Sequence, residues 1–138
     1  MTGSPRLTYF VHTLSSLAGF LKKTDQLGNF EQMVLTAVMR LGEEAYGVSI
    51  NEKVGEIAGR PTNLGSVYVT LDRLEAKGYV SSKLTEPLPE RGGQPKRFYY
   101  MKAEGIRALD ESMQASRRVS GTFSESWKLG KWKVRDQK

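Results

Sequence analysis

The sequence predicts a mainly α-helical fold with one small β-hairpin, in a chain of 138 residues that can bury one modest core. Apolar residues recur at spacings of three and four in several segments, which is typical of amphipathic helices. β-forming residues are concentrated between residues 79 and 100, on either side of a glycine pair. No apolar run approaches the roughly 20 residues that a membrane-spanning helix needs, so membrane insertion is not expected.

The first predicted helix lies in residues 1–25 and follows Ser4-Pro5, a natural helix start. Its apolar residues repeat over about two and a half heptads, and a helix this short needs a partner surface. That surface belongs either to the same chain or to a second copy. We expect a contribution to a dimer interface from Leu7, Phe10, Leu14, Leu17 and Leu21.

Two core helices are predicted next. The segment LGNFEQMVLTAVMRLG predicts a helix from about Asn29 to Gly42, whose apolar face comprises Phe30, Val34, Leu35, Val38 and Leu41. The segment YGVSINEKVGEIAG predicts a helix that ends at Gly59, with one face made of Tyr46, Ile50, Val54 and Ile57. Gly47 and Gly55 weaken this helix by up to ~1 kcal/mol each relative to alanine, so we expect a neighbour to pack closely there.

A third helix, two-faced and short, is predicted from the segment NLGSVYVTLDRLEAKGY. Asn63 is a good N-cap for the amide of Ser66, and Gly78 can take the left-handed conformation that closes the last turn. One stripe can pack against the core, and it comprises Val67, Leu71, Leu74 and Ala76. Residues on the other faces can meet a partner, and they include Ser66, Tyr68, Thr70, Arg73 and Lys77. Three helices with short links are the order of a helix-turn-helix core.

A hairpin follows this helix. Tyr79-Val80 and Phe98-Tyr99-Tyr100 predict its strands, and Gly92-Gly93 supply the turn between them. Its tip is basic because it carries Arg91, Lys96 and Arg97. Alone it is either an ordinary exposed turn or a surface that touches phosphates or the minor groove. Its position directly after the three helices favours the second, so the predicted fold is a winged helix-turn-helix.

A long amphipathic helix is predicted from Lys102 to about Trp127. A rod of this kind usually packs on a twofold-related copy, so we expect dimer contacts from Ile106, Leu109, Met113, Phe123 and Trp127. The basic end KLGKWKVRDQK continues this helix, extends freely, or touches nucleic acid. The predicted division is therefore an N-terminal helix in residues 1–25, a winged domain in 26–102, and a dimerisation helix with a basic tail in 103–138.

The net charge of +6 is unevenly distributed. Residues 1–59 carry −1, residues 60–104 carry +3, and residues 105–138 carry +4. The positive charge begins where the third helix begins, as expected for contact with a polyanion, although a basic surface also serves solubility. The absence of cysteine excludes disulfides and cysteine-based metal sites, and it is compatible with the reducing cytoplasm that we expect.

Enzyme motifs are absent from the sequence. His12 is the single histidine, and there is no G-x-S-x-G, no Walker loop and no G-x-G-x-x-G. We therefore expect no enzyme, no cofactor and no metal site, and we interpret His12 as a helix-surface or interface residue.

The segments GNFEQMVLTAV, EEAYGVSINEKV, NLGSVYVTLDRLEAKGYV and RGGQPKRFYYMKAEG resemble the PadR-like transcriptional regulators, over roughly residues 27–109. The resemblance implies a winged helix-turn-helix dimer, mostly bacterial, that acts chiefly as a repressor released by a small molecule. It also implies that the third helix enters the major groove and that the basic hairpin is the wing. The sequence departs from the family at Ser66, Val69 and Lys102, where threonine, proline and threonine are common.

This interpretation predicts the DNA-contacting residues. They are Asn63, Leu64, Gly65, Ser66, Tyr68, Val69, Thr70, Arg73, Lys77, Arg91, Gly92, Gly93, Lys96 and Arg97. We expect Arg73 or Tyr68 at phosphates and Thr70 or Ser66 nearer base edges; Tyr68 alternatively buries its ring against the wing. Leu64 and Val69 are either contacts to thymine methyls or simply exposed apolar groups. Two copies of the helix about 34 Å apart predict an inverted-repeat operator.

Two further hypotheses stay open. A winged-helix domain can also act as a protein-interaction module without sequence-specific DNA binding, because a fold does not fix a function. The dimer interface can also enclose a small aromatic or amphipathic effector, in a pocket formed by Phe10, Phe123, Trp127 and Trp132.

Overall fold

The computed structural model describes residues 26–86 and 95–135. In these ranges the chain forms α1 (Asn29–Leu41), a 3₁₀ turn (Gly42–Glu44), α2 (Gly47–Ala58), α3 (Leu64–Ala76), β1 (Val80–Leu84), β2 (Arg97–Met101) and α4 (Ala103–Leu129). The predicted mainly helical fold with a two-stranded hairpin is confirmed. The predicted N-terminal helix lies outside the described residues. So do the predicted dimer contacts Leu7, Phe10, Leu14, Leu17 and Leu21, and the predicted DNA contacts Arg91, Gly92 and Gly93.

The core forms where the first three helices, the hairpin and the start of α4 meet. Its fully buried side chains include Val34, Leu35 and Val38 of α1, Ile50 and Val54 of α2, and Val67, Leu71 and Leu74 of α3. Ile57 shares the predicted face of α2 with Ile50 and Val54, but its side chain is 44% exposed in the last turn of the helix. The apolar periodicity of α2 therefore continues one position beyond the core.

The ends of α3 are fixed as predicted. The Asn63 side-chain oxygen accepts a hydrogen bond from the backbone N–H of Ser66 at 3.0 Å. At the other end Gly78 has φ +82°, and the N–H of Tyr79 donates to the carbonyl of Leu74 at 2.9 Å. Such a left-handed residue satisfies carbonyls that the helix leaves unpaired. α3 is thus held at both ends as well as along its buried face.

The two glycines of α2 lie where other segments approach closely, as predicted. A β-carbon at Gly47 would collide with the ring of Tyr68, and one at Gly55 would lie 3.3 Å from the carbonyl oxygen of Arg60. The low helix propensity of glycine is therefore offset by close packing. Gly47 lets α3 approach α2, and Gly55 lets the connecting turn do so.

The hairpin is antiparallel, with a register that runs from Val80 opposite Met101 to Leu84 opposite Arg97. It is also joined to the segment before α2, because Tyr46 bridges to Phe98 and the N–H of Tyr99 donates to the carbonyl of Ala45 at 2.9 Å. This pairing of the segment before α2 with β2 was not predicted. It attaches the hairpin to the helical core from the side opposite β1.

Helix α4 has a docked first half and an exposed second half. A β-carbon at Gly105 would collide with the carbonyl of Tyr79, and Ala108 and Leu109 are buried. From Ser116 to Leu129 every residue is exposed. The prediction that Leu109 contributes to a dimer interface is wrong, because it fills the core of its own domain and is only 5% exposed. No helix in the described ranges is long and apolar enough to cross a membrane.

Candidate nucleic-acid interface

The outer face of α3 consists of exposed residues at helical spacing, and we call it the α3 outer face. It comprises Gly65, Ser66, Val69, Asp72, Arg73 and Ala76. Val69 is 57% exposed and presents an apolar side chain to solvent. The side chain of Arg73 forms no hydrogen bond or ion pair with any other residue of the described chain. Its guanidinium is thus available to an external partner.

Thr70 does not belong to this face. Its side chain is only 5% exposed, since it lies three residues after Val67 and four before Leu74, within the buried stripe. The prediction that Thr70 faces outward is therefore wrong. Asp72 was not among the predicted contacts, although it is exposed and lies at the edge of this face, on the side toward Glu75.

Tyr68 lies at the edge of the α3 outer face. Its ring packs over the backbone of Gly47 at the start of α2, and 41% of its surface remains exposed. This contact is with α2, whereas the alternative interpretation placed the ring against the wing. Contact between the Tyr68 hydroxyl and a phosphate stays a prediction.

Lys77 is engaged within the protein. Its ammonium lies 3.2 Å from Glu31 Oε2, and the other oxygen of Glu31 accepts a hydrogen bond from the N–H of Gly28 at 3.0 Å. This ion pair links the end of α3 to the beginning of α1. Both side chains are largely shielded from solvent, so water screens their attraction less than at an exposed site. Lys77 is therefore less suited to the predicted contact with DNA than Arg73.

The two wing cations within the described residues have defined positions. Arg97 Nη1 donates to Ser82 Oγ at 2.9 Å, and Ser82 Oγ in turn donates to Glu75 Oε2 at 2.9 Å. The ammonium of Lys96 lies 3.9 Å from the ring centroid of Tyr46, which is a cation–π distance. The first contact connects the hairpin to α3, and the second connects it to the segment before α2.

A buried tyrosine lies between the hairpin and α3. Burial raises the pKa of the Tyr99 phenol, the carboxylate of Asp72 raises it further, and Arg97 opposes the shift. The phenol therefore remains neutral at physiological pH. On α3, Asp72 lies on the same side as Glu75, whose carboxylate accepts a hydrogen bond from Ser82 of the hairpin.

The exposed half of α4 carries large apolar side chains. Phe123 is 63% exposed and Trp127 is 59% exposed, while Trp132 turns back after the helix end and stacks on Trp127 with a centroid distance of 4.5 Å. The basic tail thus does not continue the helix beyond Leu129. Of the other predicted dimer residues, Ile106 is exposed and Met113 packs partly on the core.

An open groove of about 800 Å³ runs along α4, and its lining includes Leu27, Gln32, Ala108, Val119 and Phe123. Of the predicted effector-pocket residues within the described ranges, only Phe123 lines it; Trp127 and Trp132 do not. No group of three or more potential metal-binding side chains occurs in residues 26–86 and 95–135.

Three packed helices, a capped third helix with an exposed outer face, and an attached hairpin define a winged helix-turn-helix domain. Residues 34–111 match the sequence model of the Transcriptional regulator PadR-like family. This match covers more than half of the chain, which therefore belongs to that family.

Solved structures show the same fold. A PadR family transcription regulator from Clostridium difficile R20291 is 22% identical with a TM-score of 0.57, and the alignment covers 71% of this chain and 97% of that one. A PadR family transcriptional regulator from Eggerthella lenta DSM 2243 is 23% identical with a TM-score of 0.54, covering 91% and 99%.

A curated relative is an uncharacterised 37.1 kDa protein in transposon TN4556 of Streptomyces fradiae, 32% identical over 98 residues. The match covers 71% of this chain, but the chain spans only about a quarter, 26%, of that relative.

Proposed function

We propose that this chain is a sequence-specific DNA-binding transcriptional regulator without catalytic activity, and that α3 is its recognition helix. The observation that carries the proposal is the α3 outer face, which presents Ser66, Val69 and an unpaired Arg73 on a helix fixed at both ends. An α-helix of this kind fits the major groove, where small and polar side chains reach base edges. The wing cations Lys96 and Arg97 then lie beside it and contact phosphates.

The regulator acts as a homodimer in this proposal. Residues 26–102 bind DNA, and residues 103–138, with residues 1–25, hold the two copies together. The support is the exposed series Val119, Phe123 and Trp127, which recurs every four residues along α4 and has no cover within the described chain. Two recognition helices about 34 Å apart then read an inverted repeat.

Repression and effector release complete the proposal. A dimer that occupies a promoter in the bacterial cytoplasm blocks transcription, and a small aromatic or amphipathic molecule at α4 changes the spacing of the two copies. The support is the groove along α4, whose lining includes the exposed ring of Phe123. A tryptophan fluorescence signal that stays flat across a diverse ligand panel would count against this part of the proposal.

The central experiment is fluorescence anisotropy with a labelled duplex from the promoter upstream of the protein's own gene, at about 100 mM salt. We expect saturable binding that exceeds binding to a scrambled duplex. Arg73→Ala should weaken it, whereas the matched Arg40→Ala, which removes an exposed arginine from α1, should not. An intact dimer of the unmodified protein that binds no DNA would instead favour the protein-interaction module.

A further inference from the structure

Asp72 occupies an unusual place for an acidic residue in a surface proposed to meet DNA. It lies in the third turn of α3, three residues after Val69 and one before Arg73, and its side chain is exposed. Within residues 26–86 and 95–135 its carboxylate has no hydrogen-bond or ion-pair partner. This exposed carboxylate, at the edge of the α3 outer face, accepts no hydrogen bond and pairs with no cation in the described ranges, so it can face an external partner.

The neighbouring acidic residue gives the contrast. Glu75 lies one turn further on, and both of its carboxylate oxygens accept from Ser82 Oγ, at 3.1 Å and 2.9 Å. Ser82 in turn holds Arg97, so Glu75 has a structural role in joining α3 to the hairpin. Asp72 has no such role.

The charge of Asp72 restricts what it can face. A carboxylate repels phosphates, so a position near the DNA backbone would weaken binding to every sequence. In the major groove, guanine and thymine present acceptor oxygens, and adenine presents an acceptor beside its amino group. Cytosine presents only the N4 amino donor, which a carboxylate accepts.

We propose that Asp72 is a specificity-determining residue that accepts a hydrogen bond from a cytosine amino group in each half-site and disfavours the other bases there. This inference rests on the proposed function, because it assigns a base preference to the same recognition helix. Arg73 beside it supplies the attraction to DNA, and Asp72 supplies the discrimination.

The test is selection of binding sites from a randomised duplex pool, followed by sequencing, with the full-length protein and three variants. Sites selected by the unmodified protein should contain a fixed cytosine in each half-site. Asp72→Ala should reduce the preference for that cytosine by about tenfold while leaving other positions unchanged. Asp72→Asn should shift the position toward adenine, since an asparagine amide pairs with adenine N6 and N7.

The matched control is Asp110→Asn, the same change on α4, where the side chain accepts from Gln114 at 2.8 Å. It should select the same sites as the unmodified protein. Unchanged preferences in both Asp72 variants, or a uniform rise in affinity for all sequences, would overturn the role of Asp72 and leave the proposed DNA binding intact. An unmodified protein that selects no sequence at all would overturn both.

Discussion

The α3 outer face and the exposed half of α4 are both uncovered helix surfaces, but their chemistry is opposite. The first consists of glycine, serine, valine, aspartate, arginine and alanine, while the second carries Val119, Phe123 and Trp127. Small and charged side chains suit a polar, water-rich groove, whereas large aromatic side chains gain most from leaving water. This difference is what the proposed function requires, because it assigns the first surface to a nucleic acid and the second to another copy of the chain.

The largest expected effect tests whether the exposed half of α4 stabilises its own domain. Leu109→Ala should lower the free energy of unfolding by about 2–5 kcal/mol, because it leaves a cavity in the core. Leu129→Ala makes the same change in the same helix at a position that is 68% exposed, and it should have an effect within ~0.5 kcal/mol. Urea denaturation at equal protein concentration measures both, and equal decreases would contradict the division of α4.

A second prediction concerns a variant that lacks the two large aromatic side chains on the exposed half of α4. The double change Phe123→Ala and Trp127→Ala should weaken self-association by at least about 2 kcal/mol, roughly thirtyfold in the dissociation constant, because buried aromatic residues dominate such interfaces. Sedimentation equilibrium gives the constant. Circular dichroism should show that the winged domain remains folded. A dimer of unaltered strength in this variant would exclude the aromatic series from the interface.

The third prediction tests the basic hairpin through the salt dependence of DNA affinity. Replacing Arg91, Lys96 and Arg97 with alanine should lower DNA affinity, and the magnitude of its salt slope should fall by about 1 for each phosphate that is no longer neutralised. Anisotropy titrations at several salt concentrations measure the slope. A triple change at Lys128, Lys131 and Lys133 removes as many cations from the end of α4 and its tail, and it should affect the slope less. An unchanged slope in the wing variant would remove the hairpin from the DNA surface.

Much of this domain could be predicted from local sequence signals. The ends of α1 and α3 follow from Gly42, Asn63 and Gly78, whose backbone and capping preferences act over a few residues. Thr70 was misassigned because its residue type is polar, although at about 100° per residue it lies only about 60° from Val67. The same arithmetic places Asp72 about 140° from Val67, on the exposed side.

Other features could not be predicted because they depend on contacts distant in sequence. Leu109 and Phe123 share one periodic pattern, but the first packs inside the domain and the second is exposed. Periodicity records that a residue avoids water, and not which surface covers it. The bridge from Tyr46 to Phe98 and the link from Arg97 through Ser82 to Glu75 likewise join segments whose meeting no local signal indicates.

The stacked tryptophan pair at the end of α4 provides an intrinsic fluorescent probe. Trp127 and Trp132 are the only two tryptophans in the sequence, and Trp127 lies about 27 Å along the helix from Leu109. Their emission therefore reports on the end of α4. Binding events confined to α3, which holds Tyr68 but no tryptophan, leave that emission unchanged, whereas any rearrangement of the aromatic surface alters it without an added label.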